Sequence, residues 1–396
     1  MRRVLFYLSF LLLTVSIVGA QNSTFAEYET EHYRVLSELG DEHAQATAEQ
    51  LEALFVFFND YFHFEVEELP VRLRARFFSS KDRFDDYLTR IVDETREDFV
   101  YLHYTDLARS ELVGYELPDA DFQISLKHQG FIQFLRAFIP NPPLWLREGF
   151  AVYFEEVEYD DQLDTVVYRE NLSWLETLQS IVDGSAGVAP IPFDDMIRMN
   201  VSEAREQIEV FYPQAWGMVS FLLRSENRDY NRIIWDSISA LDPEATLEEN
   251  SQLVYDEAFR WVQEPILIES FVEYVAARRS FRTLVQDGIR HYENEEAEEA
   301  ETAFVTAIKL NEDNFIPYYY MGLINYDRGN FSVADFYYNE ALDLGADEAT
   351  TYYALGVNAF ADNRFDDAVA YLEQTNELAP DEYGDRASQL LERIDG

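Results

Sequence analysis

The stretch KHQGFIQFLRAFIPNPPLWLREGFAVYFE, residues 127–155, decides how the surrounding region folds. Its first half carries apolar side chains at helical spacing, namely Phe131, Ile132, Leu135 and Phe138. Three prolines then interrupt the helix, since proline lacks an amide hydrogen and clashes with the preceding turn. They are Pro140, Pro142 and Pro143. A second apolar segment follows at once, anchored by Trp145, Phe150 and Tyr153. The pattern predicts two helices joined by a short turn.

Zinc hydrolysis on such a helix pair has known requirements. In the motif H-E-x-x-H, two histidines one helical turn apart reach the same metal ion, and the glutamate takes a proton from the zinc-bound water. A third ligand on a later helix leaves one coordination position open. In this chain His128 is followed by Gln129, Ile132 stands four residues after the histidine, and Glu148 follows the turn.

This arrangement resembles the peptidase MA-like gluzincins, which combine a histidine-glutamate helix, a Pro-rich loop and a helix beginning Trp-Leu-x-Glu-Gly. The resemblance extends back to ETEHYRVLSE and VRLRARFFSS and forward to VFYPQAWGMVSFLL, so it covers roughly residues 28–278. It implies an α+β domain with an aromatic-led helix beneath the site. By this resemblance His128 matches the first ligand, Glu148 the third, Gln129 the catalytic glutamate and Ile132 the second histidine.

Both replacements remove a function that the chemistry needs. A neutral amide is not a base near pH 7, and the side chain of Ile132 has no lone pair for zinc. We therefore expect His128, Gln129, Ile132 and Glu148 to be vestigial, with no catalytic residue, metal or cofactor. The alternative is an active zinc metallopeptidase of the gluzincin type with a substitute base and a substitute ligand. His128 and Glu148 are then the residual metal ligands, and Gln133 and His103 are the candidates for the substitute ligand.

The region from residue 21 to residue 279 mixes strand and helix patterns. Alternating apolar residues predict strands at 28–37 and 71–80, with shorter strands near 98–104 and 111–117. Helical spacing covers residues 41–64 and 81–92, and helices dominate beyond Asp119. Strands followed by helices indicate an α+β domain with one small sheet.

From residue 280 onward the sequence repeats with a period of 34 residues. Glycines stand at 288, 322 and 356, alanines at 300, 334 and 368, and leucines at 310, 344 and 378. Several columns that share one period indicate an internal repeat. The spacing resembles tetratricopeptide repeats, with units at 281–314, 315–348 and 349–382, and this resemblance implies an all-α solenoid. The resemblance implies that each glycine lets two helices pack closely, that Pro380 closes the third unit, and that residues 383–394 form a capping helix.

The same resemblance implies a groove lined by the first helix of each unit. Carried over by register, its side chains are Val285, Ile289, Tyr292, Tyr319, Leu323, Tyr326, Tyr353, Val357 and Phe360. An aromatic groove can take an extended or helical peptide, so we expect a protein or peptide partner. The alternatives are that these tyrosines pack between helices, or that the array braces the preceding domain.

Charge narrows the choice of partners. The formal net charge is −46, from 76 acidic and 30 basic residues, so nucleic acid and anionic lipid surfaces are poor partners. The charge is spread along the whole chain, which favours solubility in a salty or alkaline medium. A docking surface for cations or basic proteins is the alternative.

The first 20 residues predict a signal peptide. Arg2 and Arg3 precede an apolar run at 4–18, and Val18-Gly19-Ala20 offers small residues for cleavage. An uncleaved anchor is the alternative. The absence of cysteine excludes disulfides and thiolate metal sites, and in an exported protein it favours a bacterial periplasmic or extracellular location.

Together these patterns predict an exported, non-catalytic pseudo-peptidase that acts as a binding scaffold in the cell envelope. Besides the active peptidase, a purely structural assembly factor is a further alternative. The sequence leaves the oligomeric state open.

Overall fold

A computed structural model describes residues 25–395 of the chain as two compact units. The first comprises residues 25–59 and 65–133, and the second comprises residues 60–64 and 134–395. The predicted signal peptide lies outside the described residues. Among the helices of residues 25–395, none has both the length and the apolar content to cross a membrane.

The first unit is built on a mixed five-stranded sheet with the strand order β1-β2-β3-β5-β4. Its strands are β1 (Ala26–Glu29), β2 (Tyr33–Ser37), β3 (Leu73–Phe78), β4 (Val100–Leu102) and β5 (Glu111–Tyr115). β2, β3 and β5 are parallel, whereas the edge strands pair antiparallel. The register sets Arg74 opposite Glu111, and the two side chains form an ion pair at 3.1 Å. The strand predicted at 28–37 is instead a hairpin, since a turn before Tyr33 separates β1 from β2.

The helices of the first unit begin with α1 (Asp41–Phe62) and α2 (Lys81–Val92), close to the predicted bounds. α1 buries the predicted apolar stripe of Leu51, Leu54, Phe55 and Phe58. The Ser80 side chain accepts a hydrogen bond from the Arg83 amide and so caps the start of α2. Next comes α3 (Asp119–Phe138), and short 3₁₀ turns lie at Val66–Glu68 and Leu107–Arg109. The predicted combination of a small sheet with helices is confirmed.

The second unit begins with helices that precede the repeats. They are α4 (Leu144–Tyr153), α5 (Leu175–Val182), α6 (Phe193–Arg198), α7 (Val201–Glu206), α8 (Ile208–Arg224), α9 (Arg228–Ser239), α10 (Leu247–Val254) and α11 (Glu264–Ala277). A π-helical turn at Tyr255–Phe259 follows α10. The unit also contains an antiparallel pair, β6 (Glu158–Asp160) and β7 (Thr165–Val167). The prediction of one small sheet was therefore incomplete, because each of these strands has only three residues and none of those residues is buried.

Close packing of α4 on α8 organises this part of the unit. A Cβ atom on Gly149 would lie 2.5 Å from the Ala215 carbonyl oxygen and 2.7 Å from Val219 Cγ2. The two backbones thus approach as only glycine permits. Trp145 and Phe150 of α4 and Met218 of α8 are fully buried.

A stack of paired helices completes the second unit. The pairs are α12 (Phe281–Glu293) with α13 (Ala297–Leu310), α14 (Phe315–Asp327) with α15 (Phe331–Asp343), and α16 (Glu348–Ala361) with α17 (Phe365–Leu378). Each repeated glycine faces a large side chain of the second helix in its pair. A Cβ on Gly288 would meet the Phe304 ring at 2.6 Å, and one on Gly356 would meet Leu372 at 2.9 Å. The predicted solenoid-like stack is confirmed in this form.

The last helix, α18 (Pro380–Asp395), begins earlier than the sequence predicted. Pro380 is its first residue, where a missing amide hydrogen costs nothing, so the proline opens the capping helix. Tyr383 of α18 is buried and its ring lies 5.0 Å from that of Tyr353.

Candidate functional site

Three of the four positions that the sequence predicts to be vestigial, His128, Gln129 and Ile132, lie on α3. Gln129 Oε1 accepts a hydrogen bond from the Tyr101 amide of β4 at 3.1 Å. Ile132 is 7% exposed and belongs to the apolar core. The Gln129 amide therefore links α3 to the edge strand β4. The Ile132 side chain packs in the apolar core and offers no metal ligand.

The two candidate substitutes for a zinc ligand lie in the same unit. Gln133 is fully buried, and its Nε2 donates to the Arg74 carbonyl oxygen of β3 at 2.9 Å. His103 follows β4, with its ring 5.9 Å from that of Tyr101. Amides are poor zinc ligands in any case. Gln129, Ile132 and Gln133 therefore supply neither the general base nor a good second ligand for the zinc ion that the gluzincin resemblance implies.

Glu148 belongs to the second unit, near the middle of α4. It is 6% exposed, and its Oε1 accepts a hydrogen bond from Arg147 Nε at 2.7 Å. Burial raises the pKa of Tyr212 on α8 above its ordinary value, and the nearby Glu148 carboxylate raises that pKa further. Glu148 is therefore a buried carboxylate compensated by an arginine.

Among residues 25–395, one group of three potential metal ligands lies within reach of a single ion. Glu31, His32 and Glu52 of the first unit each offer a ligand atom, and these atoms lie within 4.8 Å of one another. The sequence did not predict this group, because Glu52 lies 20 residues after His32 and no local motif links the two residues.

The predicted groove residues of the second unit are mostly half-buried. Val285 is the exception, since it is 8% exposed and packs in the core with Leu284 and Ala307. Tyr292 donates a hydrogen bond from its hydroxyl to Asp327 Oδ2 at 2.9 Å. Tyr319, Leu323 and Tyr326 pack one side against a buried cluster formed by Ala334, Tyr338, Ala354 and Leu355. Each of these side chains is thus partly packed and partly exposed.

In the third repeat, the predicted groove residues pack in part on the capping helix α18. The Arg393 guanidinium of α18 lies 4.9 Å from the Phe360 ring, while Tyr353 packs on Tyr383. Tyr383 also shares a 2.9 Å hydrogen bond with Thr350. In the second repeat, burial raises the pKa of Tyr319 to about 12, so its hydroxyl keeps its proton at neutral pH.

A second concave feature of this unit was not anticipated from the sequence. A cleft of about 640 Å³ lies where the first repeat meets the preceding helices. Arg169 crosses it, pairing with Glu158 at 2.8 Å and with Glu312 at 3.1 Å. Its lining also contains four further acidic residues, Glu156, Glu170, Glu176 and Asp313, among neutral side chains and Arg282. Because acidic residues occur along the whole chain, no local sequence pattern predicts that these residues line a cleft.

Comparison with protein-family models gave no match, and comparison with curated protein sequences gave none either.

Proposed function

We propose that the protein is an exported scaffold in which a gluzincin-like domain without zinc chemistry precedes three tetratricopeptide-like repeats that bind a protein or peptide partner. The observation that carries this proposal is the half-exposed aromatic surface of α12 and α14. It is formed by Tyr292, Tyr319, Leu323 and Tyr326, and we call it the tyrosine surface.

The contacts of α3 support the non-catalytic part of the proposal. The Gln129 and Gln133 amides bond to backbone groups of two strands, and Ile132 is buried. Each of these three side chains thus has a structural role in the first unit.

The chemistry of the tyrosine surface favours a basic peptide segment. Tyrosine rings attract Lys and Arg through their π faces, and Asp327 adds a carboxylate beside Tyr292. The net charge of −46 draws a cationic partner toward the protein and speeds its association. Extracytoplasmic location follows the predicted signal peptide and forms part of the proposal.

Replacement of Tyr326 by alanine tests the binding role. Selection of a random peptide library on the purified protein is expected to enrich segments that contain Lys or Arg. Tyr326→Ala should weaken binding of a selected peptide at least tenfold, as expected for an aromatic hot spot. Fluorescence anisotropy with a labelled peptide measures the change.

The matched control is Phe336→Ala, since Phe336 is an aromatic residue of α15 that is 56% exposed outside the tyrosine surface. This variant is expected to bind as the wild type does. Equal losses in both variants, or no selective enrichment at all, would count against a binding role for the tyrosine surface.

Restoring the two replaced residues tests the loss of zinc chemistry. The double variant Gln129→Glu/Ile132→His is expected to gain one zinc ion per molecule at α3, because two histidines four residues apart on a helix can share one metal. The glutamate can accept the Tyr101 hydrogen bond that Gln129 now accepts. Metal analysis after dialysis against zinc measures the gain relative to the wild type.

Gln129→Glu alone is the control and should gain no zinc, since it supplies no second imidazole. If the wild type already holds a zinc ion that His128→Ala removes, the active-peptidase alternative becomes the better explanation. A casein or peptide-library cleavage assay on the same samples then tests for activity.

A further inference from the structure

We propose that Glu31, His32 and Glu52 of the first unit form a binding site for a divalent transition-metal ion, for which Zn²⁺ is the best-suited ion. Glu31 and His32 immediately precede β2, and Glu52 lies on α1. Their ligand atoms already lie within 4.8 Å of one another. An imidazole with two carboxylates is a donor set that suits zinc and similar ions, and three protein ligands leave a position for water.

Two of the three ligands are held in place before any ion binds. The His32 amide donates a hydrogen bond to Glu52 Oε2 at 3.0 Å, which fixes the carboxylate through the main chain. The His32 ring stacks on Phe55 with a centroid distance of 4.2 Å and an interplanar angle of 9°. Such support orients metal ligands and raises affinity.

The required adjustment is small. Zinc bonds to nitrogen and oxygen are about 2.0–2.2 Å long, so donors around one tetrahedral ion are separated by roughly 3.4 Å. The contact between His32 Nδ1 and Glu52 Oε1 is now 2.5 Å. It must open by about 1 Å, which side-chain rotation provides, and the ion then takes the place of this direct contact.

The negative charge of the site is not neutralised by nearby arginines. The nearby arginines are engaged elsewhere, since Arg34 pairs with Glu27 and Arg72 pairs with Glu29. Among residues 25–395, Glu31 has no ion-pair partner. Two carboxylates thus face a single imidazole, and a bound divalent ion balances them.

A second histidine–glutamate pair provides an internal comparison. His291 Nδ1 lies 2.5 Å from Glu296 Oε2, the same separation as in the His32 pair. In the described part of the chain, no third ligand joins His291 and Glu296. The pairing alone therefore does not create a metal site, and the second carboxylate makes the difference.

An ion at this site would tie the turn between β1 and β2 to α1. The β1–β2 hairpin lies at one edge of the sheet, where strands are the least constrained. The role that the geometry assigns to the ion is structural, because it links two elements that are about 20 residues apart in sequence.

Zinc titration of the full chain with a chromophoric competitor chelator tests the site. The wild type is expected to bind one Zn²⁺ per molecule, with an excess of Ca²⁺ failing to displace it. His32→Ala and Glu31→Gln should each weaken binding more than about tenfold. Glu31 is exposed, so Glu31→Gln keeps the test valid if His32→Ala disturbs folding. Zinc should also raise the unfolding temperature of the wild type but not of Glu31→Gln.

His291→Ala is the matched control and should bind zinc as the wild type does. Equal affinity in wild type and Glu31→Gln would overturn the proposal, as would full displacement of zinc by Ca²⁺, which indicates general attraction to an acidic surface. Loss of the ion in His128→Ala with retention in His32→Ala would also overturn it and would place the metal on α3.

Discussion

Tyr338→Ala is expected to lower the free energy of unfolding of the repeat region by about 3–5 kcal/mol, the range for removing a large buried aromatic side chain. Tyr338 is 1% exposed and fills the space between α14 and α15 that Gly322 leaves open. Its ring also lies 5.7 Å from that of Tyr319. Urea denaturation followed by circular dichroism measures the loss.

Phe336→Ala is the control for this experiment. It removes an aromatic side chain from the same helix, but one that is 56% exposed, so the free energy of unfolding should change by less than about 0.5 kcal/mol. Similar losses in the two variants would mean that Tyr338 does not fill the interface between the helices.

Gly149→Ala is expected to destabilise the second unit by about 1–3 kcal/mol, the usual cost of overpacking. The added methyl group would meet the Ala215 carbonyl oxygen, and backbone atoms yield only if α4 and α8 move apart. Thermal unfolding of the variant should show a lower midpoint than that of the wild type.

Gly130→Ala is the matched helical control. Its Cβ would meet only the end of the Leu51 side chain, at 3.3 Å, and alanine favours the helix more than glycine does. We expect a change well under about 1 kcal/mol in either direction. If Gly149→Ala were equally mild, the close approach of α4 and α8 would not be needed for stability.

Much of the fold was predictable because it depends on local or periodic signals. The 34-residue spacing of Gly288, Gly322 and Gly356 predicted an internal repeat, and the tetratricopeptide resemblance predicted that each glycine lies where the two helices of a pair touch, as it does. α2 was predicted residue for residue, because Ser80 caps its start and its apolar spacing is regular.

The features that escaped prediction depend on contacts between distant residues. Sequence alone could not bring Glu52 to His32, because the approach depends on how α1 packs on the sheet. Arg169 and Glu312, which are 143 residues apart, meet across the cleft for a comparable reason. The packing of Tyr353 and Phe360 likewise depends on where α18 lies.

The position of α18 determines where the array can grow. Tyr383 stands 34 residues after Ala349, so α18 occupies the place that the first helix of a fourth unit would take. Its exposed side chains include Glu382, Asp385, Arg386 and Gln389, so the face of α18 that points away from the stack is polar. A duplicated repeat inserted before Pro380 would therefore lengthen the stack and still leave α18 to cover its last repeat with a polar face.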